Sequence, residues 1–489
     1  MLHGLPVSLK ECCGVAGHDA TIGSAKRIDL PMPVDAVIVQ VLRAQGAIPG
    51  FCRTNLPQTM LSFECSNPVY GQTANPHDTT RGPGGSSGGE GCLIASGGSL
   101  LGIGTDIGGS CRIPAHFSGC CGFKPTAGRI SGKGFATGVA GQEAIKGTPG
   151  PMAAEVDGLA LLMAAMLADG RMHALDPTVP PIPFNMDAYA HPLPGATESK
   201  SKKAKPMRIG YFEYDGFAQA TPACVRAVRE ARALLAAKGH TLVNFEPTMV
   251  AEKLGVDTMA LFAHLLGADQ AATIKAGLAD EPVDPVLSDL VFKLGIPSVL
   301  RKVVSALYVL KGQPRIADLV SKGGRRTVQE LWRMHARRKE VVTRMLEACR
   351  DMQLDALLCP ASVMPAAKAG DAAQLGAMCN YTALFNVFDM PAGVLPVTRV
   401  TAADEAALTA TDVRGFDDWQ SLVWKTSAGA VGLPVAVQLA SMPWEDEVCL
   451  RAMKELESEV GEELRAEIAQ STRANAVVDW TATVGRQFD

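Results

Sequence analysis

Residues 82–115 read GPGGSSGGEGCLIASGGSLLGIGTDIGGSCRIPA, and twelve of the first 28 positions are glycine. An average protein has glycine at about 7% of its positions. Such a density indicates a backbone that approaches a ligand closely, or that turns several N–H groups toward one point. A phosphate cradle is the first interpretation, but the stretch has neither GxxxxGK[ST] nor a GxGxxG that follows a strand. Nucleotide binding is therefore disfavoured.

The serines of this stretch suggest nucleophilic catalysis instead. Gly84–Gly88 matches the GxSxG turn that carries the nucleophile of α/β-hydrolases, although so short a motif arises easily in glycine-rich sequence. That fold needs a histidine late in the chain. The last of the nine histidines is His335, so the final 154 residues contain none. An ordinary Ser-His-Asp hydrolase is disfavoured, and the base has to be another residue type.

Lysine replaces histidine as the base in Ser-Lys hydrolases. A lysine accepts a proton only when it is neutral, which requires burial to lower its pKa from ~10.4 toward ~7–8. Lys10 fits this requirement, because GLPVSLK (residues 4–10) predicts a short apolar strand rather than a solvated helix. The alternative stays open on local sequence alone: a lysine whose stem packs at a strand end while its ammonium reaches water.

The composition of the whole chain is that of a globular protein with a large core. Of 489 residues, 47% are apolar and 20% are charged, and the net charge is −4. This balance does not support nucleic-acid binding, which requires a basic face. The longest strongly apolar stretch, Leu159–Ala168, is shorter than the ~20 residues of a membrane span, and the N-terminus lacks the pattern of a signal peptide.

The cysteine spacing indicates free thiols. Thirteen cysteines include two adjacent pairs, Cys12–Cys13 and Cys120–Cys121, and no CxxC. This pattern favours neither a zinc site nor a disulfide framework, so we expect reduced thiols in an intracellular protein, most of them packed as small apolar side chains. We expect no metal and no other cofactor.

Strand-like and helical segments mix without regular alternation, which predicts an α/β fold with a mixed sheet. Residues 1–150 have short apolar runs joined by glycines, and PLPGATESKSKKAKP (192–206) has the composition of a surface insertion. The strands predicted after it are Met207–Tyr211, Leu354–Leu358, Ala392–Val400 and Gly432–Leu439. The predicted helices are Val156–Leu167, Pro222–Lys238, Arg325–Met352 and Glu445–Gln470. Residues 471–489 are expected to form a loosely ordered tail.

Several motifs together resemble the amidase signature family. They are GLPVSLKE (4–11), PGGSSGGEG (83–91), GTDIGGSCRIPA (104–115) and GFKPTAGR (122–129). Similarity to the fatty-acid amide hydrolase branch of that family continues through TMLSFECSNP (59–68), NYT (380–382), DMPAGV (389–394) and VGLPVAVQ (431–438). The resemblance covers nearly the whole chain. It implies one domain, 1–489, with a catalytic core at 1–150 and a large twisted mixed β-sheet surrounded by helices.

The resemblance implies a relay of three residues. Ser110 is the nucleophile, Ser86 the bridging serine and Lys10 the base. Neutral Lys10 takes a proton from Ser86, Ser86 takes one from Ser110, and the Ser110 oxygen attacks the amide carbonyl. The relay then runs backward to protonate the leaving amine, and water releases the acid. Family members also hold the peptide bond before the bridging serine, here Gly85–Ser86, in cis.

The resemblance also places groups that bind the substrate carbonyl. Backbone N–H groups of Ile107, Gly108, Gly109 and Ser110 are expected to point together at the oxyanion, which larger side chains would obstruct. Met60 is expected to offer its backbone carbonyl to the substrate, while its side chain fits a core position equally well.

Further residues around the nucleophile are expected to support the site. Asp106 and Arg112 would pair with each other or brace the loop, and Ser87 and Thr105 would form hydrogen bonds within it. Cys111, next to the nucleophile, is expected to be a small buried residue rather than a catalytic thiol.

The segment 285–320 bears on the substrate. Apolar residues recur at helical spacing on both sides of a break at Gly295–Pro297: Leu287, Leu290, Val291 and Leu294, then Leu300, Val303, Val304 and Leu307. Between Leu290 and Ala317 the sequence has five cations and no acid: Lys293, Arg301, Lys302, Lys311 and Arg315. A basic helix pair of this kind suits a membrane surface, although a core or dimer helix has the same pattern. The corresponding region of fatty-acid amide hydrolases is a membrane-docking cap, so the resemblance favours peripheral membrane contact through 287–310.

The expected activity is hydrolysis of fatty-acid amides, such as N-acylethanolamines and primary fatty amides, with esters as further candidates. The alternatives are a small-amide amidase similar to acetamidases and an inactive amidase-like scaffold. The expected partners are a lipid amide and an intracellular membrane surface. We expect no nucleic-acid partner, and a homodimer stays open. Relatives have a helical region ahead of the strand that contains Lys10, some with a membrane span. We therefore expect that the gene model is truncated.

Overall fold

The apolar runs of the sequence form one large sheet in a computed structural model that describes residues 1–191, 205–252, 254–322, 324–461 and 467. The strands are β1 (Pro6–Lys10), β2 (Ile48–Thr54), β3 (Ser66–Asn67), β4 (Gly71–Gln72), β5 (Leu101–Asp106), β6 (Cys121–Lys124), β7 (Thr148–Ala153), β8 (Arg208–Tyr211), β9 (Thr241–Asn244), β10 (Ala356–Pro360), β11 (Ala392–Arg399) and β12 (Pro434–Ala440). Ten of them form the sheet, in the order β2-β1-β5-β7-β6-β11-β12-β10-β8-β9, and β3 pairs with β4.

Parallel and antiparallel pairs occupy different parts of the sheet. At one edge β1 is parallel to β2 and β5, and at the other edge β8 is parallel to β9 and β10. Every pair between β5 and β10 is antiparallel. The predicted mixed α/β sheet is therefore confirmed.

The helices of the described chain surround this sheet. They are α1 (Val37–Ala44), α2 (Gly88–Ala95), α3 (Arg112–Ser118), α4 (Val156–Leu167), α5 (Arg171–Leu175), α6 (Met186–Tyr189), α7 (Pro222–Ala237), α8 (Leu254–Leu266), α9 (Ala272–Leu278), α10 (Pro285–Gly295), α11 (Ser298–Leu310), α12 (Pro314–Lys322), α13 (Val328–Asp351), α14 (Asn380–Val387), α15 (Ala402–Ala410), α16 (Asp418–Ser427) and α17 (Asp446–Glu457). Ten of the twelve residues of α4 are buried, so it is a core helix.

Most predicted elements lie within a few residues of the observed bounds, as β8, β10, β11, β12, α4, α7 and α13 show. The helix predicted over Glu445–Gln470 is interrupted, because α17 stops at Glu457 and residues 458–461 are not helical. The chain turns at residues 458–460, and the side chain of Val460 is buried in the core. Glu467 is helical, and the other residues of the predicted range after 461 lie outside the described residues. The insertion expected at 192–206, except Lys205 and Pro206, and the tail expected at 471–489 lie outside the described residues.

One continuous helical run, Val156–Leu175, is long and apolar enough to cross a membrane by length and composition. It is longer than the apolar stretch that the sequence pattern indicated. More than half of its most apolar window (56%) is buried inside the protein, and it consists of α4, a short 3₁₀ turn and α5. A buried core helix passes the same test, so this run alone does not indicate a membrane span.

In the segment 285–320, α10 is an inner helix and α11 an outer helix, and α12 begins at Pro314. The break predicted at Gly295–Pro297 is present between α10 and α11. In α10, Leu287 is buried and clusters with residues of α9, whereas Leu300, Val303 and Leu307 of α11 are exposed. The same spacing therefore describes a packed face in one helix and an open face in the other.

The thirteen cysteines are all free, and all but Cys52 and Cys92 are buried. Burial accordingly raises the pKa of these thiols, as at Cys359, where it reaches about 12. The expectation that most of these thiols are packed in the core is confirmed.

The sheet edge formed by β1 and β5 assembles the catalytic core. Because β1 and β5 are parallel neighbours, their carboxyl ends lie at the same edge, and those ends are Lys10 and Asp106. Helix α2 starts two residues after Ser86, and α3 starts two residues after Ser110. The parallel direction of these strands thus brings both glycine-rich turns to the end of β1.

Candidate active site

Lys10 is fully buried at the end of β1, and its amine contacts two hydroxyl groups. Its Nζ lies 2.6 Å from Ser86 Oγ and 2.8 Å from Thr105 Oγ1. Both partners are neutral, so neither forms an ion pair that would fix the ammonium form. The amine, the serine and the threonine come from three elements of the catalytic core, because Thr105 belongs to β5 and Ser86 precedes α2.

The surroundings of Lys10 favour the neutral amine. Burial lowers the pKa of Lys10 because an ammonium without water around it is poorly solvated. Nearby groups oppose this effect: Cys12, Cys111 and Cys65 when ionised, and the Asp106 carboxylate. The shift below the ordinary lysine value remains, so the amine is able to accept a proton from a hydroxyl.

Ser86 and Ser110 lie in adjacent turns that are joined through Ser87. The Ser87 N–H donates to the Ser110 carbonyl oxygen at 3.0 Å, and the Gly85–Ser86 peptide bond is cis. Ser110 is buried, and its Oγ forms no hydrogen bond with any residue that the structure describes, Ser86 included. Of the two contacts that a Lys10–Ser86–Ser110 relay requires, the first is formed and the second is not formed in this conformation.

Two glycines of these turns are required by close contacts. A Cβ at Gly85 would lie 2.4 Å from the Ser62 carbonyl oxygen. At Gly109 the backbone has φ +128°, and a Cβ there would lie 2.4 Å from Thr382 Oγ1. Because L side chains rarely adopt this φ, both the conformation and the space explain why residue 109 is glycine.

The loop 107–110 contains the four backbone N–H groups that were expected to bind an oxyanion. The N–H of Gly109 donates to Asp106 Oδ1 at 2.8 Å, which differs from the expectation that all four groups face an oxyanion. Those of Ile107, Gly108 and Ser110 donate to no residue in the described ranges. The carbonyl of Gly108 accepts a hydrogen bond from Thr382 Oγ1 at 2.7 Å, which fixes the orientation of the peptide group that follows it.

Asp106 and Arg112 form a fully buried ion pair beneath this loop. Arg112 donates to both carboxylate oxygens, with distances of 3.0 Å from Nε to Oδ2 and 2.8 Å from Nη2 to Oδ1. The same carboxylate accepts from the N–H groups of Gly109 and Cys111. Burial alone would raise the pKa of Asp106, but the charge and hydrogen bonds of Arg112 hold it well below its usual range. The ion pair therefore fixes the loop 107–110, hereafter the nucleophile loop, through the N–H groups of Gly109 and Cys111.

The C-terminal partners of this ion pair were not predicted from the sequence. Arg112 Nη1 donates to the Thr382 carbonyl at 2.8 Å and to Gln438 Oε1 at 2.7 Å, and Nη2 donates to Asn386 Oδ1 at 2.6 Å. Thr382 and Gln438 lie in motifs that were recognised by resemblance only. A usable signal was present at Thr382 and Asn386, because polar residues four apart on an otherwise apolar helix share one face.

Ser87 and Thr105 form hydrogen bonds next to the two turns. The Thr105 N–H donates to Ser87 Oγ at 3.2 Å, while the Thr105 side chain contacts Lys10. Met60 lies in a separate turn in which Thr59 and Met60 both have positive φ. Its side chain packs against a small apolar cluster, and the structure does not bring it into hydrogen-bond contact with Lys10, Ser86 or Ser110.

Cys111 follows Ser110 but has the properties of a packing residue. It is fully buried, and burial raises the pKa of its thiol well above the ordinary value, so the nucleophilic thiolate is disfavoured. Among the residues with described positions, no group of three or more His, Cys, Asp or Glu side chains is arranged to hold a metal ion.

Comparison with known proteins agrees with this architecture. The family model described as Amidase matches residues 1–450. Fatty-acid amide hydrolase 1 of Sus scrofa is 42% identical over 460 residues, which are 94% of this chain and 76% of the relative. Fatty acid amide hydrolase 1 of Caenorhabditis elegans is 37% identical over 93% of this chain and 76% of its own. A solved structure of a fatty acid amide hydrolase superposes with a TM-score of 0.77 at 25% identity, over 95% of this chain and 74% of that chain. The chain therefore belongs to the amidase family.

Proposed function

We propose that this protein is a serine amidohydrolase that cleaves fatty-acid amides to a free fatty acid and an amine. The observation that carries the proposal is the buried Lys10 amine 2.6 Å from Ser86 Oγ, in a chain 42% identical to a fatty-acid amide hydrolase. Among the described residues Lys10 has no partner of opposite charge within hydrogen-bond distance, and its lowered pKa suits proton transfer.

The proposed reaction starts with the transfer of two protons. Rotation of the Ser110 side chain brings its hydroxyl to Ser86 Oγ, and the Ser86 proton passes to neutral Lys10 while Ser86 receives the Ser110 proton. The Ser110 oxygen then attacks the amide carbonyl and forms a tetrahedral intermediate. Catalytic hydrogen bonds often tighten only when substrate is bound, so the open Ser86–Ser110 contact is compatible with this step.

The oxyanion of that intermediate is placed against the N–H groups of Ile107, Gly108 and Ser110, which have no partner among the described residues. One donor of this kind typically lowers the activation barrier by ~3–4 kcal/mol. The relay then returns its proton to the leaving nitrogen, which makes the amine a competent leaving group. Water, activated by the same two side chains, hydrolyses the ester on Ser110 and releases the acid.

An apolar cleft supports a long acyl chain as the substrate. Phe262 of α8 lies against the nucleophile loop, since a Cβ at Gly108 would be 2.7 Å from its ring. One turn further along α8, Leu265 lines a cleft of about 320 Å³ together with Ile274 and Leu331, and polar side chains border the same cleft: Gln142, Glu143, Asp269 and His335. An acyl chain leaving the loop past Phe262 would bury its methylenes there at ~0.8 kcal/mol each.

The outer helix α11 supports binding to a lipid surface. Val299 and Leu310 are each 83% exposed, and Leu300, Val303 and Leu307 are also open to solvent. Such a patch on one helix is typical of peripheral membrane contact. Not every predicted cation is available to lipid headgroups: Arg301 is buried with a hydrogen bond to the Val320 carbonyl, and Arg315 pairs with Asp417.

A substrate series tests the proposed activity against the small-amide alternative. Purified protein would be assayed with primary amides of two to twenty carbons and with N-acylethanolamines, with Ser110→Ala as the blank. We expect kcat/KM to rise with chain length up to long acyl chains. A maximum at acetamide or propionamide would instead identify a small-amide amidase, and no Ser110-dependent hydrolysis of any member would identify an inactive scaffold.

The pH dependence of the reaction tests Lys10 as the base. Protonation of Lys10 removes its acceptor, so kcat/KM is expected to fall as the pH drops below its lowered pKa and to level off above it. Lys10→Arg keeps the length and positive charge but cannot lose its proton, and it should lower kcat by about 10²–10⁴-fold without an acid limb. A pH–rate profile from pH 5 to 10 is the measurement. An unchanged limb in Lys10→Arg would exclude Lys10.

The exposed face of α11 is tested by charge substitution. Leu300→Glu with Leu307→Glu is expected to weaken binding to phospholipid vesicles by about 10–100-fold, because two leucines that would enter the bilayer become anions. Flotation measures binding, and hydrolysis of a long-chain amide in vesicles should fall with it while a short soluble amide is hydrolysed as before. Leu100→Glu, an equally exposed leucine outside this segment, is the matched control. Equal flotation of all three proteins would contradict the membrane proposal.

A further inference from the structure

The catalytic core contains a buried carboxyl group that the proposed relay does not use. Glu90 lies in the first turn of α2, four residues after Ser86, and is completely buried. Its Oε2 accepts a hydrogen bond from Ser8 Oγ, and its Oε1 accepts one from Thr54 Oγ1, each at 2.7 Å. Both donors are neutral hydroxyls. Glutamate is rarely fully buried without an ion-pair partner, so this position requires an explanation.

The two hydroxyl groups place Glu90 beside Lys10. Ser8 and Lys10 are two residues apart on β1 and therefore point to the same face of the sheet. Thr54 is the residue of β2 that pairs with Lys10 in the strand register. The carboxyl group thus lies on the face of the sheet that carries the Lys10 side chain, bound to its neighbour along the strand and to its neighbour across the ladder.

The packing around Glu90 is shaped for its carboxyl group. Gly102 of β5 pairs with Ser8, and a Cβ at Gly102 would lie 2.0 Å from Glu90 Oε2. Only glycine leaves space there for the carboxyl oxygen. A residue that merely filled the core between α2 and the sheet would not need this combination of two hydroxyl donors and a glycine opposite.

Charges around the two groups favour an interaction between them. Lys10 is the cation that acts on Glu90, and the thiols of Cys13, Cys52 and Cys120 are the other titratable groups that face it. Lys10 in turn faces Asp106 and the thiols of Cys12, Cys65 and Cys111. Burial raises the pKa of Glu90 to about 7, while the hydrogen bonds from Ser8 and Thr54 and the charge of Lys10 oppose that rise.

We propose that Glu90 is a positioning residue whose carboxylate stabilises the protonated form of Lys10 that arises while the amide bond is broken. The proposal rests on the proposed role of Lys10 as the base. In the resting enzyme, desolvation keeps the amine neutral. When the relay delivers a proton to Lys10, the Glu90 carboxylate adds its charge to that of Asp106, because neither Ser86 nor Thr105 carries a charge. The proton then returns to the leaving amine. Glu90 itself neither gains nor loses a proton in the cycle.

The experiment compares Glu90→Gln with the wild-type protein over pH 5–10. Without the carboxylate the pKa of Lys10 falls, so the acid limb of kcat/KM is expected to move about one pH unit lower. The plateau above it should drop about 10–100-fold, since the ammonium in the transition state loses one of its counter-charges. Glu90→Asp retains the charge but withdraws it by one methylene, so it is expected to move the limb in the same direction by less than Glu90→Gln does. Thr54→Ser, which keeps the hydroxyl donor, is the matched control and should change neither quantity.

Two outcomes would overturn the inference. One is a Glu90→Gln protein whose acid limb has the wild-type midpoint. The other is equal loss of activity at every pH in Glu90→Gln and Glu90→Asp together with equal loss of thermal stability, which would make the role structural. If Glu90→Gln does not fold, a limb displaced in Glu90→Asp has the same meaning. Failure of the proposed function is distinguishable, because the wild-type protein would then lack an acid limb that depends on Lys10.

Discussion

Replacing Ser110 by alanine is expected to lower kcat for amide hydrolysis by about 10⁴–10⁶-fold, the effect of removing the nucleophile from a serine hydrolase. Ser110 is a buried serine two residues before the start of α3. Its N–H group, like those of Ile107 and Gly108, donates to no described residue. No neighbour replaces it, because the adjacent thiol of Cys111 is held in its neutral form by burial. The measurements are kcat on a long-chain amide and labelling with a fluorophosphonate probe.

The control for this prediction is Cys111→Ala, which is expected to retain the activity and the labelling. Mass spectrometry of the labelled wild-type protein should place the adduct on the peptide that contains Ser110. Persistent labelling in Ser110→Ala, or loss of labelling in Cys111→Ala, would show that another side chain is the nucleophile. Ser86→Ala should still be labelled, more slowly, because it interrupts the relay and leaves the nucleophile present.

The N-terminal half of the site could be predicted from sequence because its signals are local. A strand that ends in lysine and two glycine-rich turns that contain serine are each visible within about ten residues. The geometry then follows from one fact of topology, that β1 and β5 are parallel neighbours. The same short-range patterns gave the positions of the helices and strands of the second half to within a few residues.

The C-terminal half of the site could not be predicted in this way. Arg112 contacts Thr382, Asn386 and Gln438, which are 270 or more positions away. Within the sheet, the antiparallel pairing of β6 with β11 joins the two halves. Spacing also does not show what covers an apolar face. Leu287 and Leu300 have the same periodic pattern, yet the first packs against α9 and the second faces solvent.

Replacing Arg112 by methionine is expected to destabilise the protein by about 3–5 kcal/mol at neutral pH, the usual effect of breaking a buried ion pair. The side chain is fully buried, and its loss removes the ion-pair partner of the Asp106 carboxylate and leaves Lys124 as the nearby cation that lowers its pKa. The hydrogen bonds to Thr382, Asn386 and Gln438 are lost as well. Urea unfolding measures the change. Arg229→Met removes an exposed ion pair with Glu213 and should cost less than about 1 kcal/mol.

The pH dependence separates this electrostatic effect from a loss of packing. In the wild-type protein the pKa of Asp106 is below its unfolded value, so the carboxylate contributes stability above that value, which is lost as the pH falls through the folded pKa. In Arg112→Met burial without the ion-pair partner places the pKa above the unfolded value, and the carboxylate is then destabilising at neutral pH. The difference between the two proteins should therefore shrink as the pH is lowered from 7 toward 4. A difference that is constant over this range would mean that Arg112 contributes through packing, and that the charge on Asp106 does not hold the nucleophile loop.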